Sequence, residues 1–88
     1  MEGAVLFADV AGSTALYEVL GDERAFALVE ACLGAMSRSS ANAGGRVVKT
    51  IGDAVMAVFP DATAAATAAV SMQVEVDRLG PSAGVRLG

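Results

Sequence analysis

The period of the apolar positions changes along this chain, and each change marks an element. Val5-Leu6-Phe7-Ala8 is an unbroken apolar run led by Ala4 and closed by Asp9. So short a run, with valine and phenylalanine in it and a Gly-Ser turn behind it, predicts a buried strand over residues 4–9. Ser13 or Thr14 can cap a short helix through Leu20, which Gly21 interrupts. From Asp22, a suitable N-cap, Phe26, Val29, Leu33 and Met36 recur at spacings of 3, 4 and 3 and predict a second helix with one apolar face. Asn42-Ala43-Gly44-Gly45 ends that helix, as glycine past a C-cap does.

Two segments rich in β-branched residues follow, Arg46 to Ile51 and Ala54 to Phe59, and the Gly52-Asp53 pair between them suits a two-residue type II′ hairpin. Asp61, after Pro60, is the N-cap of a third helix on which Ala65, Ala69, Met72, Val76 and Leu79 keep helical spacing until Gly80-Pro81. Ala83, Val85 and Leu87 then alternate with Gly84, Arg86 and Gly88 as in a strand. The predicted order is β, broken α, β, β, α, β. That is the α+β, ferredoxin-like βαββαβ plan, an antiparallel sheet with helices on one face. In that plan the first and third strands are central neighbours, so antiparallel pairing would set Asp9 beside Asp53. With no internal repeat or linker, residues 1–88 read as one domain.

Composition narrows the functions open to such a domain. A chain of 88 residues removes only about 60% of its unfolded surface from water. Its 55% apolar content, much of it alanine and valine, implies surface that awaits a partner, and a homodimer is the economical expectation. A net charge of −4 with six basic residues spread thinly argues against a nucleic-acid surface. The chain has no histidine, which excludes imidazole catalysis and histidine-bound zinc, and the lone Cys32 allows no internal disulfide. The compartment expected is a reducing cytoplasm. No stretch approaches the roughly 20 apolar residues of a membrane span, and no basic residue precedes the first apolar run as in a signal peptide.

Chemistry is concentrated at the strand ends. Asp9 and Asp53 are carboxylates at neighbouring strand termini, and a hard cation such as Mg²⁺ binds through one or two carboxylates plus substrate phosphates. Val10-Ala11-Gly12-Ser13-Thr14 opens a helix whose unpaired N–H groups and positive dipole end favour an anion, with Gly12 permitting close approach. Each feature has a plainer reading: Ser13 and Thr14 as ordinary caps, Asp9 as an exposed strand end, Asp53 as a turn residue. Lys49, among Val47, Val48 and Ile51, either reaches into a cleft toward a purine or lies on the solvated strand face.

Taken together, Phe7-Ala8-Asp9-Val10-Ala11-Gly12-Ser13-Thr14 and, after a helical stretch, Gly45-Arg46-Val47-Val48-Lys49-Thr50-Ile51-Gly52-Asp53-Ala54-Val55-Met56-Ala57-Val58-Phe59 closely resemble the class III nucleotidyl cyclases. The likeness extends over essentially the whole chain, including Met72-Gln73 on the alanine-rich helix. It implies a ferredoxin-like palm that converts ATP to cyclic AMP and pyrophosphate in intracellular signalling. Asp9, Asp53 and the Val10 carbonyl match ligands of two Mg²⁺ or Mn²⁺ ions, Ala11, Gly12, Ser13 and Thr14 match the phosphate-binding turn, and Lys49 matches the lysine that reads adenine, favouring ATP over GTP. The resemblance also implies a head-to-tail dimer, with metal ligands from one chain and base-reading residues from the other.

The family's domain continues past the final predicted strand, and its second base-selecting residue and its transition-state asparagine and arginine have no match here. Arg86 corresponds to none of them. The expectation is thus the N-terminal portion of a cyclase domain, inactive or very weak alone. Two other readings stand beside it: a non-catalytic βαββαβ dimerisation or regulatory module, and a diguanylate cyclase. Ile51-Gly52-Asp53-Ala54-Val55 departs from the Gly-Gly-Asp/Glu-Glu-Phe turn of the latter.

Overall fold

A computed structural model describes residues 3–87. The elements are β1 (Ala4–Ala11), α1 (Ser13–Leu20), α2 (Asp22–Asn42), β2 (Arg46–Ile51), β3 (Ala54–Phe59), α3 (Ala62–Leu79) and β4 (Ser82–Leu87). The strands form one sheet in the order β2-β3-β1-β4, with every neighbouring pair antiparallel. This is the α+β, ferredoxin-like arrangement expected, with β1 and β3 at its centre. Gly88, predicted to end the last strand, lies outside the described residues.

The period of two in β1 and β3 creates two unlike faces. Leu6, Ala8 and Val10, with Val55, Ala57 and Phe59, point beneath the helices into the core. Val29, Cys32, Ala35 and Met36 of α2 and Ala65, Ala68, Met72 and Val76 of α3 complete it. The buried alanines bring the two helices together, and the hydroxyls of Ser39 and Ser71 bond between them at 3.1 Å. Burial pushes the Cys32 thiol above its ordinary pKa, which leaves it neutral and unsuited to nucleophilic work.

The phase of the second helix differs from expectation. Phe26 is 58% exposed, and the inward row runs instead through Ala25, Val29, Cys32 and Met36. Spacing alone does not say which of two adjacent apolar residues faces inward, and here the smaller one, Ala25, is fully buried. On α3 itself Ala68 is fully buried, whereas Leu79 at the C-terminal end is 40% exposed. Strand β1 runs to Ala11, two residues beyond the predicted boundary, because β4 pairs with it there.

Helix starts also differ in detail. Gly12, in the left-handed region at φ 70°, is the N-cap of α1 and no side chain caps that helix, so Ser13 and Thr14 are first-turn residues and not caps. Likewise Gly21 is the N-cap of α2 and Asp22 stands in its first turn. Asp61 does cap α3, accepting a hydrogen bond from the Ala64 N–H at 2.8 Å. Asp61→Ala should therefore cost about 1 kcal/mol, lowering the thermal midpoint by roughly 4–8 °C in a domain of this size. A shift below about 1 °C by circular dichroism would show that the cap contributes little.

Candidate metal and phosphate site

The face of the sheet turned away from the helices has no covering layer among the described residues. Register arranges it in rows across the strands. One row runs Ile51, Ala54, Asp9, Gly84, and the next runs Lys49, Met56, Phe7, Arg86. Both Asp9 and Lys49 therefore lie on this open face, kept there in β2 by a register shift between Val47 and Lys49.

Asp9 pairs with Ala54, the residue that follows Asp53, which sets the two aspartates side by side. Asp53 occupies the turn between β2 and β3, where Gly52 takes φ 57°, a conformation that primed hairpin turns require. Its carbonyl accepts the Val10 N–H at 3.3 Å, tying the turn to the end of β1. Its carboxylate accepts a hydrogen bond from the Ser13 hydroxyl, which fixes the carboxylate against the first turn of α1. Val10 buries its side chain in the core and commits its N–H to Asp53, so only its carbonyl is left to offer an ion.

The turn from Ala11 to Thr14 carries the N-terminus of α1. Gly12 accepts the Leu16 N–H at 3.1 Å, and neither a capping side chain nor an acidic residue in the first turn competes for the free amides. Ala11, Gly12 and Thr14 are exposed and Ser13 is half-buried, so the turn is open to an anion.

Beside Asp9 lies a cleft of about 320 Å³ lined by Phe7, Ala8, Asp9, Ala54, Gly84, Val85 and Arg86. The Arg86 guanidinium sits 5.3 Å from the centre of the Phe7 ring, a cation–π distance that orients its positive charge beside the cleft. Sequence reasoning passed over this arginine. Its alternation with the inward Ala83 and Val85 was the signal, but the register to Phe7 was lacking. Lys49, by contrast, is separated from Asp9 by β3 and does not line the cleft.

The donors present suit a hard divalent cation. Two carboxylates and a backbone carbonyl are oxygen ligands, the chain has no histidine, and its one thiol is buried on α2, which favours Mg²⁺ or Mn²⁺ over zinc or copper. Among the described residues no group of three or more histidine, cysteine, aspartate or glutamate side chains occurs that could hold a metal ion. The remaining positions would fall to carbonyl, water or ligand phosphate oxygens, the pattern Mg²⁺ commonly takes.

Comparison with known proteins identifies the family and the fold. The sequence profile described as the adenylate and guanylate cyclase catalytic domain matches residues 2–82. An adenylate cyclase of Anabaena cylindrica is 33% identical over 86 residues, which is 96% of this chain and 17% of that protein. A bacterial light-regulated adenylyl cyclase superposes with a TM-score of 0.87 at 26% identity, covering 97% of this chain and 29% of that one. The adenylyl cyclase CyaB from P. aeruginosa gives 0.79 at 27% identity, covering 98% of this chain and 53% of that one. The chain thus spans about half or less of the length of the relatives it matches. By profile and by fold, this chain belongs to the adenylate and guanylate cyclase catalytic-domain family.

Proposed function

We propose that this chain supplies the metal- and phosphate-holding half of a nucleotidyl cyclase site, acting on ATP to give cyclic AMP and pyrophosphate in signalling. The observation that supports it most is the junction of β1, the β2–β3 turn and α1: Asp9 and Asp53 are neighbours across the β1–β3 pairing, and the Asp53 carboxylate is held by Ser13 at the uncapped N-terminus of α1. In this reading Asp9, Asp53 and the Val10 carbonyl hold the divalent ions, while Ser13 keeps the Asp53 carboxylate in place. The amides of Ala11 to Thr14 receive the outer phosphates at the positive end of α1. Mg²⁺ or Mn²⁺, when bound, supplies a lowered pKa for the ribose 3′-hydroxyl and neutralises charge on the triphosphate. The 3′-hydroxyl gives up its proton to water, its oxygen attacks the α-phosphorus in line, the bond from that phosphorus to the bridging oxygen breaks, and pyrophosphate leaves.

Lys49 stands outside the cleft that holds Asp9, which supports a division of labour between two chains of a homodimer: one holds the ions and the other reads the base. The wild-type chain should then bind 3′-deoxy-ATP, which cannot cyclise, more tightly than 3′-deoxy-GTP. Lys49→Ala should narrow the difference. Equal binding of the two nucleotides by the wild type, measured by calorimetry, would remove the base assignment.

The exposed side chains of Val19, Phe26 and Val70, at 80%, 58% and 63%, favour a second reading as a dimerisation module. Such a module would form an oligomer whose stability ignores metal and nucleotide.

A further inference from the structure

Gly84 stands directly across from Asp9 in the β1–β4 pairing and lines the same cleft. Nothing in its backbone calls for glycine. Among the described residues the glycines with positive φ are Gly12, Gly21, Gly44, Gly52 and Gly80, and Gly84 is not one of them. Inside a strand glycine is a cost, because it loses more conformational freedom on folding and offers no side chain to pack. Its neighbours explain the choice. The three nearest heavy atoms to a Cβ placed at position 84 all belong to the Asp9 carboxyl: it would collide with Oδ1 and approach Cγ to 3.4 Å and Oδ2 to 3.9 Å.

A clash with backbone would push a strand aside, but this one falls on the far end of a short side chain on an exposed face. The carboxylate would turn and the sheet would stay. We propose that Gly84 is a positioning residue for Asp9: with no side chain at 84 the Asp9 carboxylate lies over β4, the position from which it ligates the ion, and any side chain there swings it away. The proposal rests on the reading of Asp9 as a metal ligand. It assigns Gly84 no contact with the ion or the nucleotide, so its whole effect should pass through Asp9.

A double-substitution cycle tests that, with Mn²⁺ affinity in the presence of 3′-deoxy-ATP read by electron paramagnetic resonance of the free ion. Wild type, Gly84→Ala, Asp9→Ala and the double variant are compared, with thermal unfolding in metal-free buffer as the check on folding. Gly84→Ala should weaken Mn²⁺ binding by about 10-fold or more, as loss of an orienting partner does. It should not lower the unfolding midpoint, and in the Asp9→Ala background it should leave Mn²⁺ binding unchanged and raise the midpoint slightly, the cost of the glycine being removed. Wild-type binding that Asp9→Ala weakens and Gly84→Ala leaves intact overturns the positioning role alone. So does an equal loss from Gly84→Ala with and without Asp9, which would mean that the added methyl blocks the ligand directly. If the folded wild-type chain binds no Mn²⁺, the functional proposal fails first and this one with it.

Discussion

Asp9→Ala and Asp53→Ala should each weaken binding of a metal-bound nucleoside triphosphate by about 100-fold or more while leaving the domain folded. Even partners one shell removed from a metal are worth 10- to 100-fold in affinity, so a direct carboxylate ligand should cost at least that much. Neither residue contributes to the core: Asp9 is exposed on the open face and Asp53 half-buried in a turn. Their loss should change stability by no more than about 0.5–1 kcal/mol. Asp53→Asn separates charge from geometry. Its side-chain oxygen can still accept the Ser13 hydroxyl, so the turn stays anchored while the ligand loses its charge. If calorimetry found that Asp53→Asn bound as tightly as wild type, the turn would be a structural device and not a metal ligand.

The second large effect concerns the core. Leu6 is fully buried on β1, a central strand, and sits opposite Ala57 beneath the helices. Leu6→Ala removes three carbons from a site walled by two other strands and by α2 and α3, where little can collapse to fill the space. About 3 kcal/mol should be lost, out of a total of about 5–10 kcal/mol for a domain this small. The thermal midpoint should fall by roughly 12 °C or more. Because β1 also carries Asp9, nucleotide binding should disappear in parallel with unfolding and not before it. Urea unfolding checks the figure, and a loss below about 1 kcal/mol would mean that the interior beneath β1 is not closely packed.

What the sequence made legible was local. Strands β2 and β3 have the boundaries their β-branched runs predicted, because Gly52-Asp53 punctuates them. Asp61 caps α3 as its type and position indicated. The neighbouring of Asp9 and Asp53 followed from element order alone, since a βαββαβ chain puts its first and third strands together. The elements that differed depended on contacts between distant residues. Ser13 looked like a cap, but Gly12 starts the helix and the serine hydroxyl is engaged by Asp53, forty positions away. Phe26 looked like core, but α2 turns Ala25 inward and leaves Phe26 exposed, a phase that spacing alone does not fix. Gly84 and Arg86 were visible as outward members of an alternating run. Their relation to Asp9 and Phe7 needed the β1–β4 register, which no local pattern encodes.

Among the described residues no helix is long and apolar enough to cross a membrane.

The most direct test is a calorimetric titration of the wild-type chain with 3′-deoxy-ATP, first in Mg²⁺ and then with the metal chelated. Binding that requires the metal and disappears in Asp9→Ala is the predicted result. Binding of equal strength without metal, or none by a chain shown to be folded, would contradict the assignment of Asp9 and Asp53 as the centre of the site.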